Sequence, residues 1–411
     1  MKNKKTLVII GGGISGCVAA FLAVKKNYDV HLIEKDDKLG GVLKDVSQND
    51  DNYFRSCQYI NPEARWYKEI PFKELNLQEF LHEKGTYTDI FDEISLERNI
   101  AGPSTSETFN CEIKTSDKIH DLSFVERIKF YPKKIQNKIR KWFMSFSIDI
   151  NELSGKSAIP FAVGRIFFRG DIKKIKMLKE KSKKLDDLLG LKRDEMNLRN
   201  INASLPNNGY DEFFLKFKSI LLQNKVKINL STIAKPIWDQ KNLKLLIKGK
   251  EIKPDKVIWT GNPTGLIKSF GYPLLESLHI KSKDIFIELN DKVKENIYIQ
   301  IYSSEIPISR IFLYNLKNKG KMTIETLTSE INKNDIIEFT KKIMKSFNYN
   351  YKIKEDTLIS NDQKKYILIS KKDDQLIRKF IHETEGSNLI HGNWLEHGRD
   401  QKIDFLIKNL N

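Results

Sequence analysis

The clearest structural signal in the chain is the sequence LVIIGGGISG at residues 7–16. Its first four residues, Leu7 to Ile10, are all apolar, which is typical of a strand buried on both faces of a parallel sheet. The small and apolar residues from Cys17 to Val24 favour a helix that packs closely on that sheet. A second strand is predicted from Tyr28 to Ile33, so the segment predicts a β-α-β unit.

The glycines of this segment stand where a dinucleotide-binding loop requires them. Gly11 permits a tight turn, Gly13 lets backbone N–H groups reach a pyrophosphate without a Cβ clash, and Gly16 lets helix and strand pack closely. Ile14 and Ser15 open the helix, whose amino-terminal end favours negative charge. These residues together predict dinucleotide binding, and a purely structural glycine turn is the alternative.

An acidic residue follows at the spacing that such a site needs. Glu34 ends the second strand 18 positions after Gly16 (34 − 16). A carboxylate there accepts hydrogen bonds from the hydroxyl groups of the adenosine ribose. It would repel a 2′-phosphate, so the sequence disfavours NADP in this site.

The segment after Glu34 indicates whether FAD or NAD is the predicted cofactor. Glu34 and Lys35 are followed by the pair Gly40-Gly41, which leaves room for a long cofactor to lie flat over the chain. This arrangement resembles the FAD-binding start of the amine-oxidase-like flavoproteins, which include protoporphyrinogen oxidases and UDP-galactopyranose mutases. The arginine-rich version of the segment is not matched, because Val42-Leu43-Lys44 follows here. FAD is therefore the predicted cofactor, bound also by Lys35, Gly40 and Gly41, and NAD is the alternative.

The resemblance to UDP-galactopyranose mutases continues along most of the chain and implies further cofactor contacts. Val226 begins a segment similar to the strand whose backbone meets the adenine, and Gly261 ends one similar to the strand that re-enters the FAD domain. The segment from Gly392 to Asp400 looks like the closing FAD segment of that family. The resemblance therefore implies that Val226, Gly261, Gly392 and Asp400 contact FAD.

The same resemblance implies catalytic and substrate-binding residues. Arg165 and Arg169 look like a pair of arginines in the mutases, the second of which reaches the diphosphate of a sugar nucleotide. Arg310 looks like the arginine near the flavin, where it could stabilise negative charge on the reduced ring. Tyr366 corresponds to one of two tyrosines, one of which touches the diphosphate. Arg310 and Tyr366 are the implied catalytic residues.

Two departures from the mutase pattern leave the reaction open. The flavin-facing histidine of that family would fall between Ser56 and Ile60, where none is present; Cys57, which lies there, has no sequence neighbour that would lower its pKa. The tyrosine before the final aspartate is also missing, and Arg399 could replace it as a donor to phosphate. Arg165, Arg169 and Arg399 are thus the candidate substrate-binding residues.

Length and composition bound the class of protein. With 411 residues, 40% of them hydrophobic, the chain can bury a sizeable core, which excludes global disorder, a collagen-like structure and a small disulfide scaffold. Lysine and arginine total 71 against 54 acidic residues, and the net charge of +17 fits an anionic partner. No nucleic-acid-binding motif accompanies these charges, so a small anionic substrate is favoured over nucleic acid.

The cysteines and the lengths of the apolar stretches predict the cellular compartment. Cys17, Cys57 and Cys111 are widely spaced, which favours reduced thiols over a disulfide framework and predicts no metal site. No stretch approaches ~18 apolar residues, so no integral membrane segment is expected. We expect a cytoplasmic protein; a homodimer is left open.

The predicted fold class is α/β. A Rossmann-like FAD-binding domain is expected to interleave with a mixed β-sheet substrate domain and a helical insertion, because no low-complexity linker separates them. The expected boundaries are 1–50, 201–270 and 385–411 for the FAD-binding domain, 51–120 and 271–384 for the sheet domain, and 121–200 for the basic helical insertion.

Four functions remain open. The leading one is an FAD-dependent oxidoreductase that acts on an anionic substrate, such as a nucleotide-linked sugar, in glycan biosynthesis. The second is a mutase-like isomerase that uses reduced FAD as a nucleophile. The third is a non-catalytic FAD-binding protein, which the missing histidine and tyrosine motivate. A basic protein that binds nucleic acid or an anionic membrane is the remaining, less favoured reading.

Overall fold

The structure is a computed structural model of the chain, and it divides into two compact units. The first unit comprises Met1–Glu79, Ser204–Glu276 and Lys372–Asn411, and the second comprises Phe80–Ala203 and Ser277–Lys371. The residues described are 4–48, 51–81, 83–91, 93–97, 102–105, 119–168, 177, 179–188, 202–276, 278–396 and 398–410.

The strands have the following bounds in chain order: β1 Thr6–Ile10, β2 Asp29–Ile33, β3 Asp45–Gln48, β4 Asp51–Phe54, β5 Leu77–Leu81, β6 Glu83–Thr88, β7 Glu93–Glu97, β8 Ser104–Thr105, β9 Phe167–Phe168, β10 Asn202–Pro206, β11 Lys227–Asn229, β12 Ala234–Asp239, β13 Asn242–Ile247, β14 Lys250–Ile252, β15 Lys256–Trp259, β16 Leu278–Glu288, β17 Ile297–Tyr302, β18 Ile308–Leu316, β19 Lys319–Thr326, β20 Ile359–Leu368 and β21 Leu389–His391.

The α-helices have these bounds: α1 Ile14–Lys25, α2 Phe124–Ile128, α3 Lys133–Met144, α4 Lys183–Leu188, α5 Tyr210–Gln223, α6 Thr264–Ser269, α7 Lys333–Ser346, α8 Lys371–Glu383 and α9 Arg399–Asn409. Within the described ranges, none of them has both the length and the apolar character that a bilayer-crossing helix requires.

The first unit is built on a five-stranded parallel sheet with the order β11-β2-β1-β15-β21. Leu7, Val8 and Ile9 of the central strand are at most 1% exposed, as the unbroken apolar run predicts. Helix α1 follows β1 directly and β2 pairs with β1 in parallel, so the predicted β-α-β unit and the α/β fold class are confirmed.

Helix α5 in the same unit begins against a carboxylate supplied from elsewhere in the chain. Asp45, at the start of β3, accepts hydrogen bonds from the N–H groups of Tyr210 and Asp211, both at 3.0 Å. Gly209 precedes the helix at φ +103°, and a Cβ there would lie 2.2 Å from Asp45 Oδ2. The glycine therefore lets a negative charge reach the positive end of the helix.

The second unit is built on a seven-stranded mixed sheet with the order β20-β16-β19-β18-β17-β6-β7. Only the β17–β6 pair in this sheet is parallel. One face is lined by buried isoleucines such as Ile299, Ile311 and Ile324, which share a core cluster with Ile336 and Ile343 of α7. Alternate residues on the same strands therefore point to the opposite face.

The two units do not divide the chain where the sequence places the domain boundaries. Residues 51–79, expected in the sheet domain, lie in the first unit. The reason is local: β4 pairs with β3, and Trp66 Nε1 donates a 2.8 Å hydrogen bond to Asp400 of α9. Helix α8 also lies in the first unit, where Asp373 accepts a hydrogen bond from Glu276 N, and residues 121–200 lie within the second unit.

The cap of α5 gives a test of this account of the first unit. Asp45→Ala should lower the free energy of unfolding by about 1–2 kcal/mol, because two helix N–H groups lose their charged acceptor. Urea unfolding would measure the change. Asp37→Ala, at an exposed position four residues after the end of β2 (37 − 33), is the control and should change the free energy of unfolding by less than about 0.5 kcal/mol. Equal effects of the two substitutions would contradict the assignment.

Candidate functional site

The glycine turn after β1 is shaped by contacts within the chain. Gly11 has φ +108° and donates its N–H to Ile33 O at 2.9 Å. A Cβ at Gly11 would lie 2.5 Å from Thr260 Oγ1, and one at Gly16 would lie 1.9 Å from Gly11 O. These two glycines are therefore required by the packing of α1 against β1 and β15, whether or not a ligand is bound.

Gly13 is different, because none of the described residues leaves too little room for a side chain there. Its backbone is extended (φ −70°, ψ 175°), and a Cβ would meet only Gly41 Cα at 3.8 Å and Gly40 O at 4.0 Å. Gly13 is the residue before α1, whose start has no side-chain cap and no acidic residue in its first turn, where Ile14 and Ser15 lie. The open position next to a positive helix end fits a close-lying anionic group such as a pyrophosphate.

The Glu34 carboxylate is fixed beside this turn. Glu34 Oε2 accepts the N–H of Gly12 at 2.5 Å, and Oε1 accepts the N–H of Asp36 at 2.9 Å. The residue is 7% exposed, whereas Lys35 next to it is exposed. Each carboxylate oxygen can accept a further hydrogen bond, so the group can bind hydroxyls while it orients the glycine turn.

The Gly40-Gly41 pair lies against the same turn. Gly40 has φ +131° and donates its N–H to Gly12 O at 2.9 Å, and Gly41 has φ +62°. A Cβ at Gly40 would lie 2.6 Å from Leu43 O. The pair therefore brings backbone without side chains next to Gly13, and its positive φ angles also contribute to the choice of glycine.

Two further predicted cofactor residues lie at strand ends of the same sheet. Val226 is 2% exposed and lies before the amino end of β11, whereas Asn229 at the other end of β11 accepts the N–H of Glu34 at 2.9 Å. Val226 is therefore at the opposite end of the sheet from Glu34. Gly261 follows β15, and a Cβ there would meet only Trp259 Nε1 at 3.7 Å. In open parallel sheets ligands bind beyond the carboxyl ends of the strands, which is where Gly13, Glu34 and Gly261 all lie.

The carboxyl-terminal segment holds a loop of the first unit. Asp400 accepts hydrogen bonds from Trp66 Nε1 at 2.8 Å and from Asn61 Nδ2 at 3.1 Å. Arg399 donates to Tyr59 O at 2.8 Å and to Gln58 Oε1. The sequence did not anticipate these contacts, which give both residues a structural role; their roles toward cofactor and substrate stay predictions. Gly392 is required by packing, since a Cβ would lie 2.5 Å from Trp259 O.

One residue at this sheet edge was missed by the sequence analysis. His391 ends β21, its Nδ1 accepts the N–H of Asn393 at 3.1 Å, and its ring packs on Phe405 with centroids 4.6 Å apart. Burial lowers the pKa of His391 to about 4, so the ring is neutral near pH 7. Its place directly after an apolar run and before Gly392 was the available signal.

The thiol of Cys17 is not activated as a nucleophile. Cys17 and Cys57 are both buried, and Cys17 Sγ donates to Gly12 O at 3.4 Å. Burial raises the pKa of Cys17, and the nearby Glu34 charge raises it further. A thiol held in this state is a poor nucleophile, so Cys17 contributes packing beneath the glycine turn.

Arg310 lies on the polar face of the second unit's sheet. Its Nη2 donates to Pro160 O at 3.0 Å and its Nε to Gln300 Oε1 at 3.3 Å, while Nη1 lies 3.5 Å from Glu325 Oε2. Gln300 Nε2 donates in turn to Ser309 O at 3.0 Å, which fixes the amide. The guanidinium is therefore held in one orientation by neighbours on both adjacent strands.

These residues belong to a row of polar side chains across five strands. The register aligns Thr86, Gln300, Arg310, Glu325 and Asp284, and all but Arg310 are at most 1% exposed. The hydroxyl of Thr86 has no hydrogen-bond partner among the described residues. Buried polar groups cost stability unless they are satisfied, so the Thr86 hydroxyl is a group in this row that water or a polar ligand could satisfy.

The other predicted residues of this unit are placed as follows. Arg165 is exposed at the end of the 3₁₀ segment Val163–Arg165. Burial raises the pKa of Tyr302, and the positive charges of Arg165 and Arg310 act in the opposite direction. Tyr366 lies in β20 next to a register shift opposite His279 and Ile280. Arg169 lies outside the described residues.

Comparisons with known proteins agree with this architecture. A family model described as an NAD(P)-binding Rossmann-like domain matches residues 9–71. Curated proteins give no match. The crystal structure of reduced UDP-galactopyranose mutase has a TM-score of 0.66 and 14% sequence identity, covering 99% of this chain and 95% of that chain.

Two further solved structures are similar over nearly the whole chain. A redesigned variant of putrescine oxidase has a TM-score of 0.62 and 11% identity, covering 99% of this chain and 98% of that chain. A fatty acid isomerase from P. acnes has a TM-score of 0.55 and 10% identity, covering 100% and 98%. The chain therefore has the fold of the amine-oxidase-like proteins and UDP-galactopyranose mutase, which confirms the expected resemblance at the level of the fold.

The buried histidine predicts a pH dependence of stability. The pKa of His391 lies near 4 in the folded chain and near 6.5 when unfolded, so the unfolded state binds more protons between these values. The contribution of His391 to the free energy of unfolding should be fully present above about pH 6.5. It should fall by up to about 3 kcal/mol as the pH is lowered toward 4. His391→Asn, whose carbonyl can still accept the Asn393 N–H, should flatten this slope in urea unfolding; an unchanged slope would contradict the assignment.

Proposed function

We propose that the chain is an FAD-dependent enzyme and that FAD binds at the glycine turn of the first unit. The observation that carries this proposal is Gly13: it has room for a side chain, an unstrained backbone and a position at the uncapped start of α1. A glycine that the protein itself does not need is explained by a ligand that lies against it. The residues present therefore fit the diphosphate of a dinucleotide.

Each part of the site has a role in this proposal. The N–H groups at the start of α1 would hold the pyrophosphate, Glu34 would accept hydrogen bonds from the ribose hydroxyls, and Gly40-Gly41 would lie alongside the rest of the cofactor. Gly261 would border it beyond the carboxyl end of β15, whereas Val226, before the amino end of β11, lies away from these groups. The alternative cofactor, NAD, would use the same turn, so the identity of the cofactor is part of the test.

We further propose an oxidoreductase that acts on an anionic substrate, such as a nucleotide-linked sugar in glycan biosynthesis. When bound, FAD supplies reversible acceptance of two electrons. Arg310, held by Gln300 and Glu325, would place a fixed positive charge near developing negative charge. Arg165, Arg169 and Arg399 would bind the anionic part of the substrate, and Tyr366 would contact it.

The second candidate is a sugar-nucleotide mutase. It is supported by the likeness of fold to UDP-galactopyranose mutase, which extends over 99% of this chain. The two candidates differ in turnover, because a mutase consumes no reductant per cycle, whereas an oxidoreductase must pass electrons to an acceptor.

One experiment tests the proposal as a whole. The protein would be purified without added cofactor, its visible spectrum recorded, and UDP, UDP-sugars and simple amines titrated while the flavin band is followed. A yellow protein whose band shifts with UDP-sugars and bleaches with one of them supports the oxidoreductase. Isomerised product without net reduction supports the mutase. A protein that binds no flavin would refute both.

Substitution of Gly13 tests the location of the site. Gly13→Val should abolish flavin retention, because the side chain would occupy the pyrophosphate position, while the extended backbone there accommodates a β-branched residue. Absorbance at the flavin band measures how much flavin is retained, and circular dichroism shows whether the variant is folded. Gly16→Ala is the contrast: its Cβ clashes with backbone, so it should destabilise the fold by about 1–3 kcal/mol or more. A Gly13→Val protein that stays yellow would place the site elsewhere.

Substitution of Arg169 tests the substrate class. Arg169→Ala should weaken binding of a nucleotide diphosphate by about 1.5–3 kcal/mol if the guanidinium makes a charge-assisted hydrogen bond to phosphate. Calorimetric titration with UDP measures the change. Lys342→Ala, on the exposed face of α7, removes the same charge as a control and should leave the affinity unchanged. Equal affinity of wild type and Arg169→Ala would remove this residue from the substrate site.

A further inference from the structure

Helix α3 carries a cationic surface that the proposed function does not use. The segment from residue 129 to residue 148 contains six basic residues and no aspartate or glutamate. The six are Lys129, Lys133, Lys134, Lys138, Arg140 and Lys141. The helix is strongly amphipathic, with Ile135, Ile139, Trp142 and Phe143 buried in the second unit.

The outward face of α3 combines charge with one apolar side chain. At about 100° per residue, Lys133, Lys141 and Met144 fall within about 80° of one another, opposite the buried stripe. All three are exposed, and Met144 is 72% exposed. The methionine thus stands within the cationic face and not at its edge.

The position of the charges along α3 is unfavourable for the isolated helix. Lys133 and Lys134 lie in the first turn, which has no acidic residue, and Pro132 before it provides no side-chain cap. Cations at the amino-terminal end oppose the helix dipole. Folding does not account for lysines there, whereas an anionic partner on this face would.

We propose that this face of α3 docks on an anionic phospholipid surface. The lysines would approach the headgroups, each contributing electrostatic attraction, and Met144 would enter the interface between them. A lipid surface accounts for the exposed methionine, which a nucleic-acid backbone does not. Binding of single-stranded nucleic acid would also use exposed aromatic rings for stacking, but Trp142 and Phe143 of α3 are 2% and 1% exposed.

Vesicle co-sedimentation of the full chain tests this proposal. The wild type should sediment with vesicles of phosphatidylcholine that contain phosphatidylglycerol, should bind far less to phosphatidylcholine alone, and should be released by salt. The double variant Lys133→Glu/Lys141→Glu should lower the partition coefficient by more than about tenfold. Met144→Asp should lower it severalfold with the lysines intact.

A matched control separates this surface from the general basicity of the chain. Lys342→Glu/Lys345→Glu reverses two exposed lysines on α7 of the same unit and should leave vesicle binding near the wild-type level. Three results would overturn the proposal: equal binding to both vesicle types, equal losses in the α3 and α7 double variants, or a wild type that binds a single-stranded oligonucleotide but not the vesicles. Circular dichroism confirms that each variant is folded.

Discussion

Helix α1 packs so closely on strand β1 that position 16 has no space for a side chain. A Cβ there would lie 1.9 Å from Gly11 O, at the end of that strand. This contact fixes the start of the helix just beyond the carboxyl end of the sheet, where its N–H groups are not used by a side-chain cap. The Glu34 carboxylate then holds the turn through Gly12 N, so strand, turn, helix and acid form one rigid arrangement. The remainder of the proposed cofactor site is assembled around it by the ends of neighbouring strands.

The parts of the fold that the sequence predicts are those encoded by neighbouring residues. The apolar strand before Gly11 and the β-α-β unit that it begins both appear in the structure as predicted. The structure adds a distinction that the glycine motif does not contain: Gly11 and Gly16 are required by packing, whereas Gly13 is not. Contacts such as Asp400 with Trp66 or Arg399 with Tyr59 join residues more than 300 positions apart, so no local pattern could indicate them.

The contacts on the polar face of the second unit also could not be predicted from local sequence patterns. The resemblance to the mutases singles out Arg310, but only the register of the strands aligns it with Gln300, Glu325 and Asp284. A buried layer of this kind is less stabilising than an apolar one of the same volume. This row lies opposite the isoleucine-rich face of the sheet, and the substrate site proposed above would use it. The roles of Arg165, Arg169 and Tyr366 depend on that site and remain predictions.

The most direct test of the central claim is to identify the nucleotide that the protein carries. The protein would be purified without added cofactor and denatured by heat. The released small molecule would be separated by chromatography and identified by mass spectrometry. The account predicts FAD in a near one-to-one ratio to protein. Release of NAD in its place, or failure of the cofactor-free chain to take up FAD when it is supplied, would contradict it.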